Sequence, residues 1–170
     1  ATIGVQLMMV KEKVAAEGMA AVLDRIAELG YTSVEVSQVP TDEANIAALE
    51  RARDELGVQV AAMSVGLQSG LTNTGDALDV DFERVVANCR RLACRHLRIG
   101  MMPFPAMVSK PAVVEFAQRA EEAAQRVLRQ ACSPRRAGVV VQALPHRRVD
   151  GCPAVGPGEV QAADTPLAQH

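Results

Sequence analysis

Ile26-Ala27-Glu28-Leu29-Gly30-Tyr31-Thr32-Ser33-Val34-Glu35-Val36-Ser37 reads as the end of an amphipathic helix passing through a glycine stop into a short β-rich strand. Upstream of it, Met19, Val22, Leu23, Ile26 and Leu29 recur at steps of three and four, so the spacing predicts a helix from about Glu17 to Leu29 with one buried stripe. Earlier still, Ile3-Gly4-Val5-Gln6-Leu7-Met8-Met9-Val10 is a short apolar run, as expected of a strand covered on both faces in a parallel sheet. Downstream, Ser33 to Ser37 forms the second strand. Thr41 and Asp42 then open a second helix carrying Ile46, Leu49, Ala52 and Leu56, which Gly57 ends. The strand–helix unit has repeated.

It repeats twice more. Val58 to Val65 predicts a third strand, and the polar stretch from Gln68 to Asp79 a long loop. Asp81 starts a third helix through Phe82, Val85, Val86, Cys89 and Leu92, and His96-Leu97-Arg98-Ile99-Gly100 makes a fourth strand. After the loop Met101-Met102-Pro103-Phe104-Pro105, Ser109 caps a fourth helix with Pro111 in its first turn. Its expected buried stripe is Val113, Val114, Phe116, Ala120 and Ala124, running to about Leu128. Strict alternation implies parallel strands joined by crossovers, in an open doubly wound sheet or a closed barrel. No glycine-rich phosphate loop follows the first strand, which favours the barrel. The fold class is therefore α/β, with parallel (β/α) units of a TIM barrel truncated to about four or five units and followed by an irregular C-terminal tail. The domain division is residues 1–130 for the barrel half and 131–170 for the tail.

Composition narrows the function classes. The chain has 170 residues, 49% of them hydrophobic and 22% charged, as in an ordinary globular domain. With one Tyr, three Phe and no Trp there is little to stack bases on, and a net charge of −2 leaves no basic face, so nucleic acid is disfavoured. No apolar run approaches the roughly 20 residues that span a bilayer, and the N-terminus lacks a signal-peptide pattern. The expectation is a cytoplasmic protein without a membrane partner, although residue 1 is Ala, which leaves initiator removal or an upstream segment open. Cys89, Cys94, Cys132 and Cys152 form no CxxC pair; they read as free thiols, with Cys89 and Cys94 packing in the core.

The opening Ile3-Gly4-Val5-Gln6-Leu7, the helix end Ile26 to Tyr31 leading into Val34-Glu35-Val36, and the run from Leu97-Arg98-Ile99-Gly100 to Met107-Val108-Ser109-Lys110 resemble sugar phosphate isomerases and epimerases of the xylose isomerase-like barrel superfamily. The resemblance covers about the first 130 residues. It implies a (β/α)₈ fold, a divalent metal (Mn²⁺, Mg²⁺ or Zn²⁺), and isomerisation or epimerisation of a sugar or polyol by proton transfer next to a carbonyl. DNA-repair endonucleases share the superfamily, but the acidic balance argues against that branch. In the related enzymes the metal ligands come mostly from the ends of strands five to eight, so the expectation is that this chain does not hold the metal.

Barrel chemistry sits at the C-terminal ends of the strands. The candidates there are Gln6 and Met8, Glu35 and Ser37, Ser64 and Gly66, and Met101 and Met102. The substrate-binding set selected from them is Gln6, Glu35, Ser64 and Met102. Glu35 is the only carboxylate among the candidates, and a proton transfer or a hard cation needs one. The preferred reading is a buried structural acid hydrogen-bonded to neighbouring backbone or to a Lys or Arg. Gln6 suits substrate hydroxyls or a plain strand-end amide. Ser64 departs from the resemblance, since relatives often carry His there. His96 begins a strand and so belongs to the opposite, stability face.

The character changes after about Arg129. Residues 132–170 hold five of the nine prolines and two of the three histidines, with no Lys, Ile, Phe, Tyr, Met or Asn. Gly138 to Leu144 could make a fifth strand. His146 and Asp150 after it invite a metal reading or a coincidence within an Arg- and Pro-rich segment, and residues 151–170 are expected to be disordered. Translation of a GC-rich gene in a shifted frame produces this composition, as does a natural low-complexity tail. The function expected is that of an isomerase/epimerase-like protein lacking its metal-ligand half. The alternative is a non-catalytic barrel fragment that binds a small sugar or self-associates through open sheet edges.

Overall fold

The computed structural model describes residues 3–70 and 75–131 and the backbone of 140–142. The expectations for His146, Asp150 and residues 151–170 lie outside the described residues. Five parallel strands form one sheet in chain order: β1 (Gly4–Gln6), β2 (Ser33–Val36), β3 (Gln59–Val65), β4 (His96–Ile99) and β5 (Val140–Gln142). Helices alternate with them as α1 (Lys11–Glu17), α2 (Met19–Glu28), α3 (Glu43–Glu55), α4 (Phe82–Arg91) and α5 (Lys110–Ala131). Consecutive parallel order is what half of a β/α barrel requires. The fifth strand that the sequence left open is paired, Val140 to Gln142 lying beside His96 to Arg98.

The N-terminal unit departs from expectation. The strand ends at Gln6 instead of running to Val10, and Leu7–Val10 forms a 3₁₀ turn leading directly into α1. Among the described residues β1 has a hydrogen-bonding neighbour on one side only, so the apolar run gains more by turning Leu7 into the core while Met9 faces outward. Gly18, at φ +87°, then separates α1 from α2 where the sequence reading had a single helix from Glu17.

Capping chemistry follows the sequence. The Asp42 carboxylate accepts from Asn45 N at 2.9 Å to start α3. α2 ends in a Schellman turn, with Tyr31 N–H donating to Ile26 O at 3.1 Å and Gly30 N–H to Ala27 O at 2.9 Å, and Gly30 at φ +84°. The stripe of α2 is buried at Met19, Val22, Leu23 and Ile26, but Leu29, the C-cap of the helix, is 65% exposed. In α5 the buried positions are Ala120, Ala124 and Val127, while Val113 is 38% exposed.

Strand alternation separates two faces. Val34, Val36, Val60, Met63, Val65 and Leu97 point to the helices and form the core with Leu23, Ile26, Ile46, Leu49, Val85 and Cys89. Register and alternation place Gly4, Gln6, Ser33, Glu35, Ala62, Ser64 and Arg98 on the other face, the one a barrel encloses. Barrel interiors are commonly filled by bulky branched residues. This face is polar or small instead.

Candidate functional site

Three of the four residues selected from the sequence meet at one atom. Glu35 Oε1 accepts from Ser64 Oγ at 2.5 Å and from Gln6 Nε2 at 3.2 Å. The third donor was missed in the sequence: Arg98 Nη1, at 2.6 Å. Its signal was present in Leu97-Arg98-Ile99, where a charged residue between two apolar ones in a short strand must face away from the core. The four side chains come from four successive strands, each at the last or next-to-last position, so they lie at the C-terminal end of the sheet. Ser64 is buried, Glu35 has 23% of its side-chain surface exposed and Arg98 42%. Arg98 therefore closes the cluster from the solvent side. Glu35 proves to be the acid paired to an arginine, one of the two readings its sequence position allowed.

The other strand-end candidates fall around this cluster. Ser37, two residues past Glu35, is 5% exposed, and its hydroxyl has no hydrogen-bond partner among the described residues. An unsatisfied buried hydroxyl costs about 1–3 kcal/mol. The next residue, Gln38, has φ +53°, a left-handed conformation that disfavours a residue bearing Cβ. Backbone strain and an unsatisfied donor thus coincide at the end of β2. Met102 is half-buried after β4 and forms no part of the hydrogen-bonded cluster. Its neighbour Met101 lines a separate cleft of about 180 Å³ with Leu67, Pro103, Phe116 and Arg119. His96 is exposed at the N-terminal end of β4, the stability face where its position had put it.

A second polar group shapes the rim. Asp76, buried in the long loop after β3, accepts a hydrogen bond from Thr41 and pairs with Arg84 Nη2 at 2.9 Å; Arg84 Nη1 also donates to Thr41 Oγ1 at 2.9 Å. Arg84 reaches Asp81 at 2.6 Å as well, and this guanidinium, helped by the Ala77 N–H, holds the Asp81 carboxyl below the usual carboxylate range. Gly66 N–H donates to Asp76 O at 2.8 Å, and Leu78 N–H returns to Gly66 O at 2.9 Å. The long loop is thereby tied to the start of α3 and the start of α4. This tie was not legible in the sequence, because its members are 35 and 43 residues apart.

The divalent metal implied by the resemblance does not fit this cluster. Glu35 is the only carboxylate in β1 to β4, and the oxygen it directs into the cluster already takes three donors, one of them a cation. A second cation there would face the charge of Arg98. Among the described residues no three His, Cys, Asp or Glu side chains lie together as a metal-holding group. No helix among them is long and apolar enough to cross a membrane.

No family model matches the chain, and no curated protein does. Solved structures do. A sugar phosphate isomerase/epimerase from Parabacteroides distasonis ATCC 8503 superposes with a TM-score of 0.55 at 14% identity, covering 74% of this chain and 50% of that one. An AP endonuclease, family 2, from Brucella melitensis gives 0.49 at 15% identity, covering 72% and 47%, respectively. The probable 3-DHS dehydratase AsbF from Bacillus anthracis, involved in petrobactin synthesis, gives 0.48 at 11% identity, covering 76% and 49%. The chain spans about half the length of the solved structures it matches. With alternating parallel strands and helices on the page, the first of these likenesses establishes the fold: the chain has the architecture of half a TIM barrel, matching about half the length of the Parabacteroides structure.

Proposed function

We propose that residues 1–130 are the first half of a xylose isomerase-like barrel and that the inner face of their sheet receives a sugar or polyol. One observation carries this reading: Gln6, Glu35, Ser64 and Arg98 converge from four strands on a single carboxylate oxygen at the C-terminal end of the sheet. An array of amide, hydroxyl, carboxylate and guanidinium groups suits neighbouring hydroxyls, which donate and accept at once. The unsatisfied Ser37 hydroxyl adds a partner, and Met102 would flank the ligand with an apolar surface. Glu35 and Arg98 neutralise each other and are the only acidic and basic residues at the C-terminal ends of β1 to β4, which favours an uncharged polyol over a phosphorylated one. Isomerisation or epimerisation is the activity in the name of the Parabacteroides protein; in the metal-assisted form that the sequence resemblance implies, it would need carboxylate and histidine ligands beyond those described.

Thermal unfolding during titration with xylitol, ribose and ribose 5-phosphate tests the proposal. A polyol at a hundredfold excess over Kd should stabilise by about 2.7 kcal/mol, a rise of several degrees in Tm that saturates. The neutral sugars should shift it more than the phosphate ester. A flat response to all three overturns the reading.

Self-association is the second reading, favoured by the outer edge of β1, which has no pairing strand among the described residues. Beside that edge runs a groove of about 1040 Å³ lined by Ile3, Val5, Met9, Val10, Leu29 and Tyr31. If the edge pairs between copies, sedimentation equilibrium should give a mass that is a multiple of 18.1 kDa and rises with concentration. A concentration-independent mass of a single chain removes it.

A further inference from the structure

Helix α4 ends as α2 does, in a Schellman turn. Cys94 N–H donates to Cys89 O at 2.9 Å and Ala93 N–H to Arg90 O at 3.2 Å, with Ala93 in the left-handed region at φ +52°. This motif brings the side chain three positions before the cap against the one two positions after it, normally as an apolar contact. In α2 those positions hold Ile26 and Tyr31; in α4 they hold Cys89 and Cys94. The two thiols are 2% and 3% exposed; Cys89 Sγ donates to Met63 Sδ at 3.7 Å and Cys94 Sγ to His96 O at 3.3 Å. A helix-ending turn thus places two buried thiols at its paired contact positions.

We propose that Cys89 and Cys94 form an intramolecular disulfide on reaction with a hydroperoxide, stapling the last turn of α4 to the entry of β4. The backbone hydrogen bond that closes the turn holds the two residues at the short range that disulfide geometry requires. The interaction of the two neighbouring thiols holds Cys94 below the usual thiol range and, with burial, pushes Cys89 above it, so Cys94 is the thiolate that attacks. Attack on the peroxide breaks its O–O bond, giving a Cys94 sulfenic acid and hydroxide. Cys89 sulfur then displaces the sulfenic oxygen as water once its proton has left. The balance is two thiols and one hydrogen peroxide to one disulfide and two waters. Burial makes opening of the last α4 turn the gate, so the reaction should be slower than that of an exposed thiol but should consume both cysteines together.

The test oxidises the folded 170-residue protein with hydrogen peroxide, blocks remaining thiols with N-ethylmaleimide in denaturant, and maps the peptides by mass. Expected is a species 2 Da lighter, in which Cys89 and Cys94 are joined and are lost in equal amounts. The C132S/C152S variant should give the same species at the same rate. In C94S, Cys89 should be at least tenfold slower to oxidise, and circular dichroism of that variant reports whether it is folded. If C94S fails to fold, the double variant alone decides. Full alkylation of both thiols after oxidation overturns the proposal, as does a bond from either one to Cys132 or Cys152, or stable sulfinic acid at one without loss of the other.

Discussion

Leu23→Ala is expected to lower the free energy of unfolding by about 2–5 kcal/mol, the range for deleting a fully buried leucine side chain. Leu23 is 0% exposed on the core side of α2, among Ile26, Val34, Val36, Ile46 and Leu49. The loss combines the transfer free energy of the removed methyl groups with a cavity between helix and sheet that the surrounding side chains fill only in part. Against a total of about 5–15 kcal/mol for a domain, this single change takes a large share. Urea denaturation followed by circular dichroism measures it as a lowered midpoint at unchanged slope. Leu29→Ala, one turn and a half further along the same sequence stripe, should change stability by less than about 0.5 kcal/mol, because Leu29 is 65% exposed. Equal losses at the two sites would contradict the packing of α2 described above.

The second large effect is expected at Glu35. Glu35→Ala removes the acceptor shared by Gln6, Ser64 and Arg98, leaving a buried hydroxyl and a guanidinium without their common partner. Arg98 is more than a third exposed, so water replaces much of what it loses, and the stability cost should be only about 1–2 kcal/mol. Binding should suffer more. With the donors released from their fixed directions, the saturable rise in Tm with polyol should weaken at least tenfold, about 1.4 kcal/mol. Glu35→Gln preserves the shape and an acceptor for Ser64 but not the charge facing Arg98, so it should retain the fold and fall between wild type and alanine in binding. A polyol response unchanged in Glu35→Ala would place the ligand elsewhere, even if the protein binds one.

Residue patterns carried much of this molecule. The three- and four-residue steps of Met19 to Ile26 and of Ile46 to Ala52, and the apolar runs before and after them, specify helix and strand through local periods, and strict alternation then leaves few topologies. The same logic put Gln6, Glu35 and Ser64 at strand ends and His96 at the opposite end, because position along a parallel strand is readable once the strand is. Met102 differs, because a loop residue has no period, and nothing in its neighbourhood fixes which way it faces. The edge position of β1, which cut the first strand short at Gln6, was equally hidden, since edge and centre look alike in one dimension.

The sequence by itself determined the elements, their order and the chemistry available at the strand ends. Only the tertiary structure decided that this chemistry meets, and the deciding detail is one residue of register. Val34 pairs with Val60 but Glu35 pairs with Ala62, so Ala61 is an extra residue in β3. Side chains alternate with a period of two, and without that bulge Ser64 would face the helices and Met63 the polar side. With it, Met63 enters the core beside Cys89, and Ser64 turns to Glu35. A pattern along one strand cannot state where its neighbour slips, because the slip is set by packing between strands; that packing brings Gln6, Glu35, Ser64 and Arg98 to one oxygen.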